Sequence, residues 1–164
     1  MRSVEFVPFR LTEVADIYSI KIDGKENTEF KEFMINFKDN GVTSINDDFN
    51  RILKSIQTIM SKGAKEQFFR PEGKMLDRVC ALPLYTTPRK HKEIGTLRLY
   101  CIRISDRLLI LGGGGEKKTK TYDEDELLSA TVSTLQNIDS ELRKLEKNGI
   151  DLYQTITNLT INID

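Results

Sequence analysis

The residues best suited to chemistry stand close together in the second half of the chain. Arg98 lies in an aliphatic run, Leu97 to Ile104, and four glycines, Gly112 to Gly115, close a second run, Leu108 to Leu111. Lys117, Lys118 and Lys120 follow, with Tyr122 just beyond them. Arginine and lysine can hold a phosphate and the charge that develops on it in a transition state. A tyrosine among cations suits proton transfer, because nearby positive charge favours phenolate. Cleavage of RNA by its own 2′-hydroxyl needs a base, an acid for the leaving 5′-oxygen and cations. This set contains the groups that such a reaction uses without a metal or cofactor.

Other chemistries fit poorly. A phosphate-cradling loop needs glycine immediately before its Lys-Ser/Thr pair, and here Lys117 precedes Lys118-Thr119. A dinucleotide fingerprint counted from Gly112 meets Lys117 where its last glycine should stand. His91, the single histidine, sits among Arg89, Lys90 and Lys92, which disfavour its protonation and do not orient it. One histidine with no acidic pair at ligand spacing argues against a metal centre. Cys80 and Cys101 lie in strand-like runs without metal spacing and read as reduced, packed thiols.

The 164 residues are enough for one domain with a core of its own. Formal net charge is zero, so no global field draws the chain to nucleic acid, and any anion site is local. Charge is nevertheless segregated: Thr86 to Lys120 carries nine Lys and Arg against three Asp and Glu, so the neutral total conceals a basic middle. Glu5, Arg10, Glu13 and Asp16 interrupt the stretch where a signal peptide needs unbroken apolar residues, and no run reaches membrane-spanning length. A cytoplasmic protein is expected, with no membrane partner.

The positioning elements follow from periodicity. Val4 to Phe9 and Ile17 to Ile22 read as strands, with Pro8 putting the first at an edge or strand end and Asp23-Gly24 turning after the second. They form a hairpin through Leu11 to Ala15, or the first belongs to an N-terminal extension over residues 1–15. Thr28 caps a helix carrying Phe30, Phe33, Met34 and Phe37, ended by Asp39-Asn40-Gly41. Ser44 or Asn46 caps a second, with Phe49, Ile52, Leu53, Ile56, Ile59 and Met60 in one stripe up to Gly63. Val79 to Leu84 is a short strand, and Thr86 to Gly95 a polar loop. The two central runs form a hairpin turning at Ser105, Asp106 and Arg107. The glycines and lysines after it read as a flexible cationic rim. Asp123 to Asp125 open a long helix whose Leu128, Val132, Leu135, Ile138, Leu142 and Leu145 share a side, with Asn148-Gly149 as its stop. Residues 149–164 read as a C-terminal extension, with an extended piece packing back on the domain.

The order strand, two helices, three antiparallel strands, helix resembles the RelE/HigB-like toxin fold, an α+β architecture. The run LRLYCIRISDRLLILGGGGEKKTKTYDEDEL is similar to the family's segment of arginine-bearing strand, aliphatic strand, glycine, basic cluster and helix. The likeness is most specific over Thr96 to Leu135 and topological over Asp16 to Leu84. It implies a metal-independent, ribosome-dependent mRNA endoribonuclease neutralised by a cognate antitoxin, for which a small helix-turn-helix protein is the expected kind. Carried over by position, Arg98 corresponds to the strand arginine at the scissile phosphate and Lys117 and Lys118 to the basic pair. Tyr122 corresponds to the proton-transferring tyrosine. Arg70 and Lys74 correspond to further cations before the second strand.

Arg89, Lys90, Lys92 and Lys120 add nucleic-acid contacts if the basic lips meet. Each residue also has a plain structural reading: Arg98 on an exposed strand face, Lys117 to Lys120 as a solvated charge run, Tyr122 packed at a helix start. Two functions therefore stand side by side: the endoribonuclease, and a non-catalytic module of the same fold that binds nucleic acid or a protein partner.

Overall fold

A computed structural model describes residues 1–72, 77–84, 96–117 and 126–164. The chain is α+β. Its strands are β1 (Arg2–Leu11), β2 (Asp16–Ile22), β3 (Arg70–Pro71), β4 (Val79–Leu82), β5 (Thr96–Ser105), β6 (Leu108–Lys117) and β7 (Thr160–Ile163). The helices are α1 (Glu29–Phe37), α2 (Thr43–Lys62), the long α3 (Glu126–Lys147) and the single turn α4 (Leu152–Thr155). All seven strands form one sheet in the order β3-β4-β5-β6-β2-β1-β7, antiparallel throughout except where β2 runs parallel to β6.

Helices cover both faces, which explains why the central strands read as nearly continuous apolar runs. On one face Leu97, Leu99, Cys101, Leu109 and Leu111 meet Phe30 and Phe33 of α1 and Phe49, Ile52, Ile56 and Ile59 of α2. On the other, Tyr100, Ile102, Leu108 and Ile110 meet Leu128, Val132, Leu135, Ile138 and Leu142 of α3. The spacing of these helical residues leaves one stripe for the sheet and a polar face for solvent.

Thr28 caps α1 as its sequence predicts, its Oγ1 accepting from the Lys31 amide at 3.1 Å. The start of α2 differs from expectation. The helix begins at Thr43 after Val42 and has no side-chain cap. Asn46 instead donates to the Asn40 carbonyl, and the Asn40 Oδ1 accepts from the Val42 amide, so the preceding turn takes the polar groups. α3 ends as predicted: Gly149 adopts φ 87°, and the amides of Ile150 and Gly149 return to the carbonyls of Leu145 and Glu146.

Both terminal segments contribute strands to the sheet: the N-terminal strand forms the hairpin with β2, one of its two expected placements, and the extended piece expected near the C-terminus is β7. β1 pairs along its length with β2 in the hairpin arrangement, and Arg2 to Glu5 pair with β7 on the other side. Val4, Phe6, Ile161 and Ile163 are buried in the core beneath α3. Pro8 lies past the reach of β7, at a register shift between Pro8 and Arg10, where a missing amide proton breaks no ladder.

The glycine run differs most from its sequence reading. Gly112 to Gly115 are not a flexible rim: β6 continues through them to Lys117, and Gly112, Gly113 and Gly115 are buried. A Cβ on Gly112 would meet both Leu135 methyls and the Tyr100 carbonyl at 2.9 Å, and one on Gly114 would fall 1.9 Å from the Arg98 carbonyl. Glycine is required here because helix and neighbouring strand come too close for a side chain.

Candidate functional site

The geometry of the basic site is set by the β5–β6 hairpin. Arg98 shares strand parity with Tyr100 and Ile102 and so faces α3. Opposed residues in a ladder point to the same face: Arg98 pairs with Gly115 and Thr96 with Lys117, so Lys117 projects on the side of Arg98 as its diagonal neighbour. Such a diagonal is roughly 7–8 Å between Cα atoms. A bulge makes this happen. Between the pairs Leu99–Gly114 and Cys101–Leu111, β6 has one residue more than β5, which resets the alternation near Gly112 and Gly113. Without it, Glu116 would stand where Lys117 does.

Arg70 pairs with Ala81, and Ala81 with Tyr100, which brings Arg70 onto the same face two strands away, roughly 10 Å across the sheet. Its guanidinium is engaged locally by Glu72, with Nε to Oε1 at 3.2 Å. Among the residues expected at the site, Arg98, Lys117 and Arg70 thus share a face. Lys118, Tyr122, Lys74, Arg89, Lys90, Lys92, Lys120 and also His91 lie outside the described residues.

Arg98 does not sit on an exposed face. It is 4% accessible, and Leu128 of α3 lies 3.4 Å from where a Cβ on its ladder partner Gly115 would be. Lys117, at the strand end, is partly accessible. Lys117 therefore keeps some access to solvent, whereas the Arg98 side chain is buried.

Three polar features escaped the sequence reading. Asp139, fully buried in the middle of α3, accepts from the Arg78 amide at 3.0 Å and the Arg78 Nε at 2.8 Å, while Arg78 also reaches Glu146 at 2.7 Å. Burial pulls the Arg78 pKa down, but hydrogen bonds and charge from Glu146 and Asp139 outweigh it and leave the group raised. This clamp joins α3 to the start of β4. Asp48, also fully buried, accepts from the Leu97 amide at 2.8 Å and fixes the start of the strand that carries Arg98. The third is a cleft of about 240 Å³ beside the end of β2, lined by Ile20, Ile22, Gly113 of β6, Glu29 of α1 and Leu127 and Leu135 of α3.

Cys80 and Cys101 are free, buried and opposite one another on β4 and β5. Burial pushes the Cys80 thiol up to about 12 and the Cys101 thiol well above its ordinary value, so neither is a ready nucleophile. Among the described residues no cluster of His, Cys, Asp and Glu is placed to hold a metal ion, and no helix is long and apolar enough to cross a membrane. No protein-family model matches the chain, and neither curated proteins nor solved structures give a significant match.

Proposed function

We propose that the chain is a RelE/HigB-like toxin: a cytoplasmic, metal-independent endoribonuclease that cuts mRNA on the ribosome and is held inactive by a cognate antitoxin. The observation that carries this reading is the convergence of Arg98 and Lys117 on one face of the β5–β6 hairpin. The connectivity supports it, since β2, α1, α2, β4, β5, β6 and α3 follow the family's order of elements. In this mechanism Arg98 and Lys117, joined by Lys118, hold the scissile phosphate and the charge that builds on it, and Tyr122 moves the proton.

Induced expression without an antitoxin should arrest growth and fragment ribosome-bound messages. Lys117→Ala and Arg98→Lys, both checked for folding by circular dichroism, should relieve the arrest. Unimpaired growth with intact messages would defeat the reading.

The burial of Arg98 favours a second reading, a non-catalytic module of the same fold that binds nucleic acid through the lysine cluster. It predicts RNA binding that weakens steeply with salt and yields no cleavage products. Replacing Lys117, Lys118 and Lys120 together should flatten the salt dependence, because each phosphate contact released returns its counterion.

A further inference from the structure

The cleft near the end of β2 lies at a change of direction in the fold. β2 and β6 are parallel neighbours, but the chain leaves β2 for α1 on one face and β6 for α3 on the other. In open parallel sheets, crevices where the connections of neighbouring strands diverge take small ligands, and this single parallel pair makes a comparable opening. Here the floor is the backbone of Gly113, which has no side chain to fill the space.

The walls carry two opposite charges beside apolar surface. Arg2 enters from the α3 side, where its Nη1 donates to the Thr134 hydroxyl at 3.3 Å. Glu29 enters from the first turn of α1, with its Oε2 3.3 Å from where a Gly113 Cβ would be. Ile20, Ile22, Leu127 and Leu135 supply the apolar lining, and Leu127 is 68% exposed. Lys25 and Asp23 add one further charge of each sign at the rim. Two cations against two anions leave no net charge, which argues against a nucleotide or another polyanion as the occupant.

We infer that this cleft binds a small zwitterion with an apolar body, of the class of a free hydrophobic α-amino acid, its carboxylate on Arg2 and its ammonium on Glu29. The volume of about 240 Å³ corresponds to roughly eight waters at about 30 Å³ each, the scale of such a molecule. Charge-assisted hydrogen bonds to its carboxylate and ammonium, which share one carbon, would set the orientation of the charged head, and the apolar wall would select its side chain. The inference draws nothing from the endoribonuclease reading, and either can fail alone.

Titration calorimetry on the full chain with L-leucine and L-phenylalanine tests it. Saturable binding with a roughly millimolar or sub-millimolar Kd is expected for a ligand of this size. N-acetyl-leucine, which lacks the ammonium, and leucinamide, which lacks the carboxylate, should each bind about tenfold or more weakly. Glu29→Gln should remove the penalty for acetylation, and Arg2→Gln the penalty for the amide, a cross-over that a merely destabilised fold would not produce. Amide NMR shifts should centre on Gly113 and Thr131. No saturation by any of these amino acids, or blocked analogues that bind as tightly as leucine, would overturn the inference.

Discussion

The glycines of β6 allow a graded test of how closely the hairpin and its helix approach. In Gly114→Ala the new methyl would lie 1.9 Å from the Arg98 carbonyl oxygen and 2.9 Å from its carbon. Ordinary contact between carbons is about 3.5–4.0 Å, so the overlap exceeds about 1 Å. The opposing atoms are backbone and cannot rotate away; β5 and β6 must separate locally. Losing two ladder hydrogen bonds costs about 1 kcal/mol each, and overpacking adds about 1–3 kcal/mol. Replacing glycine inside a strand returns about 0.5–1 kcal/mol. The net expectation is a loss of about 2–4 kcal/mol, or a fall in Tm of roughly 5–15 °C for a chain of this size. Gly115→Ala is the internal control. Its methyl would meet Leu128 at 3.4 Å, an ordinary contact, so stability should be unchanged or rise by up to about 1 kcal/mol. Urea unfolding followed by circular dichroism reads both. A Gly114→Ala protein within about 1 kcal/mol of the parent at unchanged m would refute the reasoning.

The clamp on α3 should outweigh any surface ion pair. Asp139→Ala leaves the Arg78 amide and guanidinium short of a partner and should cost about 2–4 kcal/mol, whereas Glu146→Ala, at a partly exposed pair, should cost about 1 kcal/mol or less. Equal losses in urea titrations of the two variants would contradict the assignment. Asp48→Ala should cost about 1–3 kcal/mol by orphaning the Leu97 amide, and hydrogen exchange should quicken first at the start of β5. The thiols predict an alkaline limb. Cys80 is held neutral in the fold up to about 12, while an unfolded thiol ionises near about 8.5. Its contribution is complete below the unfolded value and declines as pH rises toward the folded one, by about 1.4 kcal/mol per pH unit. Urea midpoints from pH 8 upward should fall less steeply for Cys80→Ala; parallel slopes would sink this account.

Local signals carried the elements whose boundaries are local events. Thr28 and Gly149 declare the start of α1 and the end of α3 because a side-chain oxygen and a positive φ act within a few residues. The cap of α2 was not legible, since Asn40 and Asn46 bond to one another's turn and Val42 opens the helix without polar help. Asp48 and Asp139 look like surface carboxylates until the strands they serve are folded against them. The amides of Leu97 and Arg78, not any sequence neighbour, explain their burial.

The sequence by itself determined an α+β chain with a central hairpin, amphipathic helices of known stripe and a basic middle, because periodicity and capping are properties of adjacent residues. It also singled out Arg98 and Lys117 as chemically interesting. Whether they share a face was beyond it, since one extra residue in β6 inverts every side chain after it, and that bulge exists only when β5, Leu135 and the Tyr100 carbonyl crowd the glycines. The burial of Arg98, and the pairing of both chain ends in one sheet, are likewise outcomes of packing between segments far apart in sequence.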